Sequence, residues 1–190
     1  MCLPACLVTS SPSYEEPKQT RPFLLAEASS PDVRQIKVVD LDGPFPLEFS
    51  ASVVSEDAGE SVTSRLVLDY GIASDQHPYL LPLGDPDAIE AATLDDGPRT
   101  LSAKWVRSSN TDTGCHYATM FATHSLDFDT GCPEKPDDFS FLTWTVVVCK
   151  STDAPCCDPT APADEGGCAA LSCPDIDPNV RCAAPSGGAP

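Results

Sequence analysis

Phe139-Ser140-Phe141-Leu142-Thr143-Trp144-Thr145-Val146-Val147-Val148-Cys149 is the stretch that decides the fold. Leu142, Trp144, Val146 and Val148 fall on one side of it, and Phe141, Thr143, Thr145 and Val147 on the other. Aromatic and β-branched residues at period two are the signature of a strand. Working outward, His116 to Phe128 repeats the pattern. Ala118, Met120, Ala122, His124 and Leu126 share one face, and Tyr117, Thr119, Phe121 and Thr123 the other. Arg99 to Arg107 turns Leu101, Ala103 and Trp105 inward. Further back, Phe45 to Val54 alternates through Phe45, Leu47, Phe49, Ala51 and Val53, and Val62 to Tyr70 through Val62, Leu66, Leu68 and Tyr70. Gln35 to Val39 is a short β-branched run, and Tyr79-Leu80-Leu81 between Pro78 and Pro82 can be only an edge strand. Asp42-Gly43-Pro44, Glu56-Asp57-Ala58-Gly59, Gly84-Asp85-Pro86-Asp87 and Asp95-Asp96-Gly97-Pro98 supply the turns, with Ala88 to Ala92 as a single helical turn. About seven strands with no long helix predict an all-β chain with an antiparallel β-sandwich over residues 35–150, a jelly roll or small barrel being the alternative.

The two ends read differently. Residues 6–34 are rich in Ser, Pro, Thr and Glu and predict an extended tether. Residues 151–190 are rich in Pro, Ala, Gly and Asp, and hold few aliphatic residues beyond Leu171, Ile176 and Val180. A tail this poor in apolar groups is ordered only by crosslinks. The chain of 190 residues carries 11 basic and 29 acidic side chains, a formal charge of −18. That excludes a phosphate-backbone binder, so no nucleic-acid partner is expected. No apolar run approaches the ~18 residues of a membrane span. Ten cysteines include no CxxC pair, and the histidines (His77, His116, His124) lie far from the C-terminal cysteines. Zinc is therefore disfavoured, and disulfides in an oxidising compartment are the expected use.

Asp112-Thr113-Gly114-Cys115-His116-Tyr117 resembles the approach to the sixth strand of an immunoglobulin-like domain, where the pattern is Asp-x-Gly-x-Tyr-x-Cys. Here His116 stands at the tyrosine position and no cysteine follows two residues later. At the N-terminus, Leu3-Pro4-Ala5-Cys6 resembles a bacterial lipobox. That resemblance implies a signal remnant over residues 1–5 and lipid on Cys6. The whole layout is similar to exported surface lipoproteins of bacteria with large genomes, myxobacteria among them, and the residue after Cys6 implies the outer membrane. With Cys2 in the remnant and Cys6 lipidated, Cys115, Cys132, Cys149, Cys156, Cys157, Cys168, Cys173 and Cys182 remain for disulfides. We expect Cys115 to pair with Cys132, and Cys149 to join the five cysteines of the tail.

Familiar catalytic motifs are missing: there is no G-x-S-x-G, Walker loop, G-x-G-x-x-G or H-E-x-x-H. No catalytic residue and no cofactor is expected. His116 and His124, eight residues apart on one strand, would stand about 26 Å apart at ~3.3 Å per residue and could not share a metal ion. His124 reads as a satisfied core or rim histidine. Asp127 with Asp129, and Asp175 with Asp177, space oxygen ligands as calcium loops do, but neither fits a twelve-residue loop. The leading expectation is a non-enzymatic binding or structural module at the cell envelope, its partners the membrane, through its lipid, and envelope proteins, with no small-molecule ligand. The alternative is a secreted hydrolase or calcium-binding surface protein, which a deep polar pocket around His116 or His124 with a carboxylate in reach would favour.

Overall fold

The computed structural model describes residues 20–55, 59–72, 81–91, 96–107, 111–135, 137–152, 156–168 and 173–176. Nine strands and no α-helix occur among them: β1 (Phe23–Ser30), β2 (Lys37–Asp40), β3 (Leu47–Val54), β4 (Val62–Leu68), β5 (Leu81–Pro82), β6 (Asp87–Ile89), β7 (Arg99–Trp105), β8 (Gly114–Thr123) and β9 (Phe139–Cys149). They form two sheets, one ordered β1-β3-β7 and the other β2-β9-β8-β4-β5, with β6 also paired to β4. The architecture is a β-sandwich.

The alternating residues meet between the sheets. Phe49 from the smaller sheet lies edge-on to Trp144 of the larger at 5.2 Å and tilted against Trp105 at 6.2 Å. Leu66, Leu68, Ala118, Met120, Val146 and Val148 complete this core. Burying aromatic and branched side chains of this size stabilises by roughly 1.5–3 kcal/mol each, so this layer dominates the fold. Hydrogen bonds lace the layers at both edges. Ser64 Oγ on β4 donates to Ser102 O on β7 at 2.9 Å, and Leu24 N on β1 donates to Ser140 Oγ on β9 at 3.1 Å.

Several expectations are corrected. Residues 23–30, read as tether, are β1, paired antiparallel with β3 through Phe23↔Val54 and Leu24↔Val53. The apolar Phe23-Leu24-Leu25-Ala26 run was diluted by its polar surroundings, and the free edge of β3 recruits it. The sandwich is not wholly antiparallel, because β2 runs parallel to β9 from Lys37↔Val146 to Asp40↔Cys149. The helical turn at Ala88 to Ala92 is replaced by β6, whose Ile89 pairs with Val62 and packs on Val53, Leu101 and Ala122. A five-residue helix is too short to resist such pairing. The strand expected over His116 to Phe128 stops at Thr123, opposite Phe139, so His124 begins the β8–β9 loop. Tyr70 leaves the core face because Asp69 adopts a left-handed φ of 57°, which breaks the period-two register. It packs instead on Phe121 at 4.7 Å, outside the sandwich core.

The last correction concerns Cys115, which bonds Cys173, not Cys132, with Cα atoms 4.9 Å apart. Cys115 starts the β8–β9 hairpin and Cys132 lies in the loop at its far end, beyond Thr123. Eight strand steps of ~3.3 Å put them roughly 26 Å apart, far past disulfide reach. Cys132 is also disulfide-bonded. Cys149 bonds Cys156 and Cys157 bonds Cys168, which pins the tail to the end of β9. That junction is also hydrogen-bonded: Asp40 Oδ1 accepts from Ser151 N, and Asp42 Oδ2 from Thr152 N.

Candidate functional site

Two buried histidines meet two buried aspartates, at opposite ends of the larger sheet. At the first end β4 finishes beside the start of β8, and the register Leu68↔Ala118 carries Asp69 alongside Tyr117 and His116. Asp69 Oδ2 lies 2.7 Å from His116 Nδ1, and Asp69 Oδ1 accepts from Tyr117 N at 2.9 Å. His116 Nε2 lies 3.1 Å from the carbonyl oxygen of Asp112. Both partners accept a hydrogen, so the site favours the imidazolium form of the ring. The hydrogen bond from Asp69 raises the His116 pKa above its ordinary 6.5, against the opposing effect of burial.

At the other end three flanking residues converge. Ser55 follows the last residue of β3, His124 follows the last residue of β8, and Asp138 precedes the first residue of β9. The hairpin pair Thr123↔Phe139 brings His124 and Asp138 together, and the smaller sheet supplies Ser55 from across the layer. His124 Nδ1 lies 2.6 Å from Asp138 Oδ1, and His124 Nε2 lies 2.9 Å from Ser55 Oγ. A hydroxyl can donate, so Nε2 can keep its lone pair while Nδ1–H points at the carboxylate. Hydroxyl, imidazole and carboxylate in this order, on these two nitrogens, are the atoms used by nucleophilic acyl transfer. The His124 side chain is fully enclosed, Ser55 is 6 % exposed and Asp138 4 %.

The sequence singled out His116 and His124 but neither aspartate partner, and it missed Ser55. The signal for Asp138 was present: a residue just after one hairpin strand faces the residue just before the next. Ser55 lies 69 positions from His124 and left no comparable trace.

The calcium candidates are scattered. Asp127 Oδ1 accepts from Asp129 N at 2.8 Å and Thr130 N at 3.2 Å, which closes the loop on itself. The Thr130 side chain and these backbone groups hold the Asp127 carboxyl below its ordinary range. Among the described residues no third ligand group gathers with Asp127 and Asp129. Asp175 lies in the tail, and Asp177 lies outside the described residues, as do Cys2, Cys6, His77 and Cys182. The one described trio of potential metal ligands is Asp40, Cys149 and Cys156, and its two sulfurs are spent in a disulfide. No protein-family model matches the chain, and no curated protein matches its sequence.

Proposed function

We propose that the chain is an exported module of the bacterial cell envelope, anchored through lipid on Cys6, that acts by binding or by holding envelope components together without a reaction of its own. The observation that carries this reading is the set of disulfides: Cys115–Cys173 and Cys149–Cys156 join body to tail, and Cys157–Cys168 closes a loop within the tail. Crosslinks of this density suit an oxidising compartment. An acidic surface suits a soluble exported domain.

An immunoglobulin-like arrangement goes with this reading. The larger sheet carries a parallel β2–β9 pair and extra strands beyond β4, as variable-type domains do. His116 reaches the backbone four residues upstream, the bond that a corner tyrosine makes in that fold. The test is metabolic labelling of the full reading frame with a fatty-acid probe in a bacterial host. The account expects label on the chain, lost in Cys6→Ser together with membrane retention; an unlabelled, freely soluble wild-type chain would overturn it.

One observation favours a second reading, a secreted hydrolase: the Ser55–His124–Asp138 relay.

A further inference from the structure

We propose that Cys132 is crosslinked to Cys182, and that the tail from Cys173 to Cys182 is a strap laid along the outer face of the larger sheet. The proposal rests in part on the lipid-anchored reading, which takes Cys2 and Cys6 out of the choice of partner.

Elimination narrows that choice first. Six described cysteines pair with one another, as Cys115–Cys173, Cys149–Cys156 and Cys157–Cys168. Cys132 is disulfide-bonded too, so its partner is Cys2, Cys6 or Cys182, the three cysteines outside the described residues. A Cys6 whose sulfur carries lipid has none left for a disulfide, and Cys2 belongs to the signal remnant. Cys182 remains.

The outer face supplies an independent argument. Ala118, Met120, Trp144 and Val146 face the sandwich core, so the alternate residues of β8 and β9 face outward. Val67, Tyr70 and Phe121 form an apolar cluster on that side, with Phe139 and Phe141 packed against it. Cys115 is one of the outward residues, and its bond to Cys173 delivers the tail to this face. The tail that follows alternates. Pro174, Ile176, Pro178 and Val180 fall on one side, and Asp175, Asp177, Asn179 and Arg181 on the other. Period two of this kind is an extended segment with one side against an apolar surface. Its described beginning obeys the pattern, with Pro174 and Ile176 half-buried and Asp175 exposed.

The lengths agree. From Cys115 to the end of β8 at Thr123 is about 26 Å at ~3.3 Å per residue, and Cys132 lies in the loop beyond. Cys182 comes nine positions after Cys173, a reach of about 30 Å when extended. Pro174 and Pro178 favour that extended form. Closing the strap oxidises two thiols. Cys132 and Cys182 give up two protons and two electrons to a disulfide-bearing carrier of the exporting compartment. One S–S bond forms as the carrier's own breaks, and the carrier leaves as a dithiol. The strap takes the aromatic face out of the surfaces open to an envelope partner.

The test is non-reducing peptide mapping of the full exported chain, followed by hydroxyl-radical footprinting. We expect a peptide pair that joins Cys132 to Cys182. In the folded double variant Cys132→Ser/Cys182→Ser, oxidation of Phe139 and Phe141 should rise about twofold or more while that of Trp105 and Trp144 in the core stays constant. A Cys132–Cys6 link overturns the proposal and the lipid anchor together, and a Cys132–Cys2 link overturns it with the signal remnant. A free Cys132 thiol beside a lipidated Cys6 overturns the crosslink alone. Footprints unchanged in the folded double variant overturn the strap's place on the outer face.

Discussion

The two ends of the larger sheet use the same pair of residues to opposite effect. At one end His116 stands between the Asp69 carboxylate and the Asp112 carbonyl; at the other His124 stands between the Asp138 carboxylate and the Ser55 hydroxyl. A carbonyl only accepts, whereas a hydroxyl can also donate. The third partner therefore decides which hydrogen bonds the ring can make. His116 is a charged tie between strands, while His124 can hold a lone pair beside a hydroxyl. What separates a structural histidine from a candidate base is one atom.

The largest effect that probes this contrast is the loss of each carboxylate. Asp69→Ala strands a buried imidazolium and gives up the Tyr117 N–H bond, so it should cost about 3–5 kcal/mol in urea unfolding. Asp138→Ala leaves the His124 ring short of one hydrogen bond and should cost roughly 1–3 kcal/mol. Equal losses, or the reverse order, would break the distinction.

The tail crosslinks sharpen it further. Cys115–Cys173 spans 58 residues beside His116, and Cys157–Cys168 spans 11. Loop-closure entropy predicts about 4 kcal/mol for the first and ~3 kcal/mol for the second when each pair is changed to serine. Hydrogen exchange should rise around His116 in the first variant and stay unchanged at 124–138. Exchange that rises equally at both ends would contradict the separation of the two sites.

A smaller effect is pH dependence. Asp69 raises the folded-state pKa of His116 above 6.5, so the stabilisation it gives is complete below that value and fades as pH climbs through the raised one. The Tm advantage of wild type over His116→Gln should therefore be greater at mildly acid than at alkaline pH. An advantage independent of pH would show that the ring does not titrate as a cation. Smallest is Asp127→Ala, which opens the exposed turn held by Asp129 N and Thr130 N. Water can replace those bonds, so global stability should hardly change while amide exchange quickens within the 124–138 loop. Exchange that quickens at His116 as well would again join the two ends.

Much of the fold was legible because alternation survives burial. Phe49, Leu66, Leu101, Trp105, Met120 and Trp144 all lie in the inner layer that their period-two spacing predicts. What was not legible depended on pairing between segments. Phe23–Ser30 and Asp87–Ile89 carry too little pattern of their own and become strands by docking on β3 and β4. The register break at Asp69 hid the turn of Tyr70 away from the core. The candidate site suffered the same way. Each of Ser55, His124 and Asp138 looks ordinary beside a strand end, and only the meeting of three strand ends makes them a relay.

The most direct test is nitrogen NMR of the two imidazoles in the folded chain near neutral pH. The account predicts that His116 shows both ring nitrogens protonated. It predicts that His124 shows a proton on Nδ1, hydrogen-bonded to Asp138. A His124 ring with no proton on Nδ1, or a neutral His116, would contradict it.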